Sequence, residues 1–260
     1  MSKKGEKKFR YDTGLVLSGG GARGYAHLGV IKALEENNID IDVVAGASAG
    51  AIAGVLFADG YNAEEILEIM SDHSTFDMIS LTLPKEGLFK IKGINKLLDE
   101  NLKAKKFEDL KKPLYVAVTN LNTGKVEYFH GGEIKKIIVA SSSIPVIFAP
   151  VKIGDYHYVD GGVMDNAPVA AIRDDCKKVI GSVVNHTGRI DEFGSLISIA
   201  ERTLQLSLSK GLAEKLDLFD VLIRPSGVRH FTTFDQSKAK ELFDLGYKEA
   251  VKVLRKEKKG

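Results

Sequence analysis

The feature that most constrains this chain is a serine set between glycines where a strand hands over to a helix. Gly46-Ala47-Ser48-Ala49-Gly50 fits G-x-S-x-G, a pattern that places the serine on a sharp strand-to-helix turn with its hydroxyl raised above a sheet. The flanking glycines allow backbone angles and close contacts that a Cβ would obstruct. The context agrees. Residues 41–45 form a short apolar run with β-branched members, and residues 49–58 are small and apolar, suited to a helix lying on a sheet. A chain built around such a turn needs strands that feed directly into helices.

A second junction of this kind lies upstream. Residues 14–18 read as a strand, Gly19-Gly20-Gly21-Ala22-Arg23-Gly24 as a Gly-rich turn, and residues 24–37 as a helix with Leu28, Ile31, Ala33 and Leu34 facing the core. The helix after Ser48 stops near Gly60, and Asn62 with Glu65 three residues later forms a capping box opening a helix to about Ser71. Strands return at residues 114–119, 126–129, 179–184 and 221–224, while 133–140 and 193–216 read as helices. Asp235 is placed to cap a final amphipathic helix to about Lys256. This alternation predicts an α/β fold: a single domain over residues 11–257, three layers α/β/α, with a mainly parallel central sheet. Residues 1–10 read as a basic, flexible N-terminus. Residues 74–90 are apolar and irregular, interrupted by Pro84 and Gly87, and suit either a cover over a site or a loop packed permanently on the core.

Composition removes several function classes. A net charge of +2 over 260 residues gives no field for nucleic acid. Cys176 is the sole cysteine, so no internal disulfide or cysteine-based zinc site is expected. The basic start is not followed by a signal-peptide core, and no apolar run reaches the ~18 residues of a membrane span. The expected location is the cytosol. Lysines at both ends could favour an anionic membrane surface, although solvated tails are the preferred reading. Oligomeric state is not readable from the sequence.

A serine hydroxyl needs a base, usually a histidine held by a carboxylate. His157 lies closest to Asp160, but on a strand over residues 156–160 the two would point to opposite faces. His27 falls on the first helix, His73 and His130 near loops, and His186 and His230 after strands without a recognisable partner. None earns the role of base. Gly19, Gly21 and Gly24 also satisfy the dinucleotide pattern G-x-G-x-x-G. That reading needs an acid at the end of the second strand, whereas Asp40 and Asp42 precede the strand and Gly46-Ala47-Ser48 occupies its end. A binding protein without chemistry is the other alternative, and nothing in the motifs indicates decay.

The Gly-rich turn, Gly46-Ala47-Ser48-Ala49-Gly50 and Asp160-Gly161-Gly162, in that order, resemble the patatin-like phospholipases. The resemblance extends through His27-Leu28-Gly29-Val30, Ser143-Ile144-Pro145, and Val159 to Gly162 with Asn166 and Pro168, over about residues 14–247. Val146 departs from it, standing where many members have glycine. The resemblance implies a Ser-Asp dyad: Ser48 attacks an acyl carbonyl, and Asp160 takes its proton and later activates water. It also implies an oxyanion hole from the backbone of Gly20, Gly21, Ala22 and Arg23, with Gly19, Gly24, Gly46, Gly50, Gly161 and Gly162 supporting the turns. Neither metal nor cofactor is implied. The implied substrate is a lipid acyl ester, reached through transient membrane contact; phospholipid, lysophospholipid, acylglycerol and thioester all remain open. Arg23 would pair with a lipid phosphate or hold its loop through backbone carbonyls, the second being favoured. Since a free aspartate titrates near ~3.9, Asp160 needs desolvation or a concerted transfer to act as base at neutral pH.

Overall fold

The computed structural model describes residues 8–71, 92–185, 211–232 and 236–258, with residues 199, 202, 203 and 206. The expected tail through residue 7, the 74–90 segment, most of the expected 193–216 helix, and Asp235 lie outside the described residues.

Eight strands form one sheet: β1 (Tyr11–Leu17), β2 (Val43–Gly46), β3 (Leu114–Asn120), β4 (Lys125–Phe129), β5 (Val151–Ile153), β6 (Tyr156–Asp160), β7 (Cys176–Ser182) and β8 (Val221–Ile223). Their order is β5-β6-β3-β2-β1-β7-β8, with β4 also paired to β3. Strands β3, β2, β1, β7 and β8 run parallel, while β4 and β6 are antiparallel to β3 and β5 is antiparallel to β6. The helices are α1 (Tyr25–Glu36), α2 (Ala49–Asp59), α3 (Ala63–Ser71), α4 (Lys92–Asn101), α5 (Ile134–Ser141) and α6 (Ala239–Glu257).

Both faces of the sheet are buried, as a parallel sheet requires. Leu15, Leu17, Val44 and Val116 join the core formed with α1, α2 and α6, whereas Val16, Val43, Ala45 and Val179 pack against Ala167, Val169, Ile172, Leu212 and Phe219. The alternation along β1 assigns adjacent residues to opposite layers. Helix α2 is buried along its whole length, which explains why its sequence carries no polar stripe. Gly60 ends it in the left-handed region at φ 101°. The capping box forms as expected: Asn62 Oδ1 accepts from Glu65 N–H at 3.0 Å, and Glu65 Oε2 accepts from Asn62 N–H at 2.8 Å.

Strand β3 decides where the site forms. Its third residue, Val116, pairs with Gly46 of β2 on one edge and Phe129 of β4 on the other. Beyond that point β4 keeps its edge, so β6, whose Asp160 pairs with Val118, takes over the edge that β2 has left. β2 and β6 therefore approach each other head to head, with Ala117 between them. Strand β5 and helix α4 were not anticipated. Three residues are too few to show a period of two, and the short α4 has just three large apolar residues, Ile94, Leu97 and Leu98, all of them buried. Helix α6 begins at Ala239, after a 3-10 turn over Gln236–Lys238.

Val146 keeps the loop shape expected of a glycine, with φ 72° and the residue 67% exposed. A β-branched residue in the left-handed region is strained by roughly 1–2 kcal/mol, and little packing is lost by removing it. Val146→Gly is expected to raise stability by about 0.5–1 kcal/mol after the glycine's added chain entropy; a lower denaturant midpoint would contradict this.

Candidate active site

Ser48 sits at φ 51° and ψ −123° immediately before α2, the strained geometry that G-x-S-x-G prepares. Both glycines are needed for close approach. A Cβ on Gly46 would lie 2.6 Å from Gly50 O, and one on Gly50 would lie 2.2 Å from Leu17 O. The elbow is also tied from outside. Ser141 Oγ, at the end of α5, accepts from Ser48 N–H at 3.0 Å and donates to Ala117 O at 2.7 Å. Ala117 is the residue between the two strand ends, so one hydroxyl spans the gap and fixes the serine backbone. The sequence reading did not single out Ser141; its signal was the Ser141-Ser142-Ser143 run next to Pro145.

Strand β6 delivers Asp160 to the same point. Ser48 Oγ donates to Asp160 Oδ2 at 2.6 Å, and Gly162 N–H donates to Asp160 Oδ1 at 2.7 Å. The aspartate backbone is held on both sides, its N–H donating to Ser143 O at 2.9 Å and its carbonyl accepting from Thr119 Oγ1 at 2.9 Å. Ser48 and Asp160 are both buried. Burial pushes the Asp160 carboxyl up from 3.8 to about 6, against the opposing hydrogen bonds from Ser48 and Gly162. The segment after Asp160 is anchored at buried Asp165, which accepts from Tyr128 Oη at 2.6 Å and pairs with Lys215 Nζ at 2.8 Å.

The Gly-rich turn lies beside this pair. Asn166 O accepts from Gly19 N–H at 3.0 Å, and Gly19 is close enough to Ser48 that a Cβ there would meet the serine Cβ at 3.2 Å. The chain then enters a 3-10 turn over Gly21–Gly24 that runs into α1. Arg23 N–H donates to Gly20 O at 3.2 Å, so the N–H groups of Gly20, Gly21 and Ala22 precede the first bond of that turn. Arg23 is buried and its Nε donates to Phe231 O at 2.9 Å, the loop-holding arrangement favoured from sequence.

The described histidines lie outside the hydrogen bonds that join Ser48 and Asp160. His157 is exposed, and its neighbour on β5 is Lys152. His130 stacks on Tyr115 with ring centroids 4.7 Å apart, and His230 Nε2 lies 3.2 Å from Arg229 Nε. His27 is fully buried between Ser18 and Ser182. His73 and His186 lie outside the described residues. The acid that a dinucleotide site would need is misplaced: Asp42 precedes β2 and its Oδ2 accepts from Thr13 N–H at 2.8 Å. Among the described residues, no cluster of three or more His, Cys, Asp or Glu could hold a metal ion.

The family described as patatin-like phospholipase matches residues 15–172, a span that includes the Gly-rich turn, Ser48 and Asp160. The chain belongs to the patatin-like phospholipase family. Among its relatives is lysophospholipase NTE1 of Kluyveromyces lactis, 29% identical over 268 residues, which cover 90% of this chain but 18% of the relative. Patatin-like phospholipase domain-containing protein 7 of Rattus norvegicus is 32% identical over 175 residues, covering 64% of this chain and 13% of the relative. This patatin-like chain thus spans less than a fifth of the length of either. Its fold is shared with VipD from Legionella pneumophila at a TM-score of 0.57 and 16% identity, over 98% of this chain and 72% of that one. No helix among the described residues is long and apolar enough to cross a membrane.

The raised pKa of Asp160 has a consequence for folding. A carboxyl raised from 3.8 to about 6 contributes stability below pH 3.8 that is lost as pH rises through about 6. Asp160→Asn, which is never charged, should therefore be more stable than wild type at pH 7.5 by about 1–3 kcal/mol, and the gap should close as pH falls toward 4. Thermal unfolding across that range checks it; a variant less stable at pH 7.5 would contradict it.

Proposed function

We propose that this patatin-like chain is a serine hydrolase of lipid acyl esters acting through a Ser48-Asp160 dyad. The observation that carries the reading is the buried 2.6 Å hydrogen bond from Ser48 Oγ to Asp160 Oδ2, on a serine held in a strained elbow. As Ser48 Oγ attacks the acyl carbonyl carbon, its proton passes to Asp160 Oδ2, and the carbonyl oxygen becomes an oxyanion. Of the four oxyanion-hole residues, Gly20, Gly21 and Ala22 supply the N–H groups, because Arg23 N–H closes the turn on Gly20 O. Arg23 instead holds the loop. The N-terminus of the following helix adds favourable potential for the negative charge.

Collapse of the tetrahedral intermediate expels the alcohol, which takes the proton from Asp160. Asp160 then deprotonates a water that attacks the acyl-serine, and as this second intermediate collapses Asp160 returns the proton to the departing Ser48 Oγ, releasing the fatty acid. A carboxylate with a pKa near 6 is a better base than a free one and is still ionised at neutral pH. Relatives named lysophospholipase and patatin-like phospholipase support phospholipids and lysophospholipids as the substrate class. The chain would meet such substrates by transient contact with a lipid surface.

Hydrolysis of nitrophenyl esters of increasing acyl length, with folding checked in parallel, tests the reading. Ser48→Ala and Asp160→Asn should each lower kcat by about 10³-fold or more; near-wild-type turnover by either would overturn the dyad. In wild type, kcat/KM should fall about tenfold per pH unit below an apparent pKa near 6, because Asp160 must be ionised to accept the proton. A profile flat down to pH 4.5 would remove Asp160 as the base.

A further inference from the structure

His27 is buried, neutral and one helical turn past the Gly-rich loop, yet the dyad does not use it. Burial holds its imidazole down at about 4, and its bonds define its tautomer. Nε2 lies 2.8 Å from Ser18 O, which can only accept, so Nε2 carries the hydrogen. Nδ1 then accepts from Ser182 Oγ at 2.7 Å. The bond to Ser18 O closes the Gly-rich turn into a ring, because His27 belongs to the helix into which that turn leads.

Two consecutive peptide units link this ring to the oxyanion donors. In the first, the Ser18 carbonyl is held by His27 and the Gly19 N–H by Asn166 O at 3.0 Å. In the second, the Gly19 carbonyl accepts from Ser18 Oγ at 3.1 Å and from Asn166 Nδ2 at 3.3 Å. Ser18 Oγ can aim its hydrogen there because its lone pair accepts from Val184 N–H at 3.1 Å. A trans peptide is planar, with C=O and N–H pointing opposite ways. Fixing the Gly19 carbonyl therefore fixes the direction of the Gly20 N–H. With glycine on either side, this peptide has no Cβ to resist rotation, and its orientation depends on these bonds.

We propose that His27 is a positioning residue of the reaction, holding the Ser18 carbonyl so that the Gly20 N–H is aimed at the oxyanion. The proposal rests on the hydrolase reading above. A residue that only filled the core would affect stability without altering the turnover of folded molecules, so the test separates the two.

His27→Gln carries an amide N–H about as far along the side chain as Nε2 and can still reach Ser18 O. His27→Asn is shorter, and its amide stops near the position of Nδ1, beside Ser182. Turnover is measured per active site, with sites counted by a phosphonate that labels Ser48. His27→Gln should keep kcat within about threefold of wild type, and His27→Asn should lose about 10- to 100-fold in kcat with KM little changed. Affinity for a trifluoromethyl ketone, which forms an oxyanion on Ser48, should fall in step with kcat. Equal kcat values in the two amide variants, high or low, would overturn the proposal, as would a change confined to KM. Should His27→Asn not fold, His27→Leu, which fills much of the same space but cannot donate to Ser18 O, takes its place: a 10- to 100-fold lower kcat than His27→Gln upholds the proposal and equal values overturn it. Ser48-dependent turnover by wild type upholds the hydrolase reading whichever way the His27 variants behave.

Discussion

Everything at the site depends on two strands meeting end to end along one edge of β3. β2 runs parallel to β3 and stops opposite Val116, and β6 runs antiparallel and stops opposite Val118. Ala117 lies between them, and its carbonyl is taken by Ser141 Oγ rather than by a neighbouring strand. A Cβ on Gly161 would lie 2.1 Å from that same oxygen, so glycine is what lets the chain turn away directly after Asp160. Strands that end in this way give Ser48 and Asp160 separate, rigid supports. A 2.6 Å hydrogen bond can then persist without a histidine between them.

The same geometry sets the proton affinity of the Asp160 carboxyl. A side chain delivered to the inner end of a sheet is desolvated, which raises its pKa, while two hydrogen bonds limit the rise. The result is a group ionised at neutral pH yet basic enough to share a proton with Ser48. The fold gives up some stability at this point, since an ionised carboxylate would be better solvated in the unfolded chain. Strain at Ser48 is a second concession of the same kind, held in place by Gly50 packed on Leu17 and by the bond to Ser141.

Local signals in the sequence carried far because the functional parts are turns with strict steric demands. The strand-turn-helix around Ser48, the Gly60 stop and the Asn62–Glu65 capping box all follow from residues a few positions apart. Elements without such signals were missed: three-residue β5 is too short for a period, and α4 follows an irregular apolar stretch that masks its start. The serine run at 141–143 was visible, but not which of its hydroxyls acts or on what, because the partners of Ser141, Ser48 and Ala117, are distant in the chain.

Residues a few positions apart were enough to give the α/β class and the glycine-bounded turns and to mark Ser48 as the candidate nucleophile, because steric rules over such a span leave few alternatives. The sequence also named Asp160 as partner to Ser48, through likeness to a family rather than through spacing. Only the tertiary structure decided that the two meet, since 112 residues separate them and what joins them is a change of strand on a shared edge of β3. Desolvation of Asp160 and the buried bond between His27 and Ser182 likewise arise from packing between distant segments, which no local pattern records.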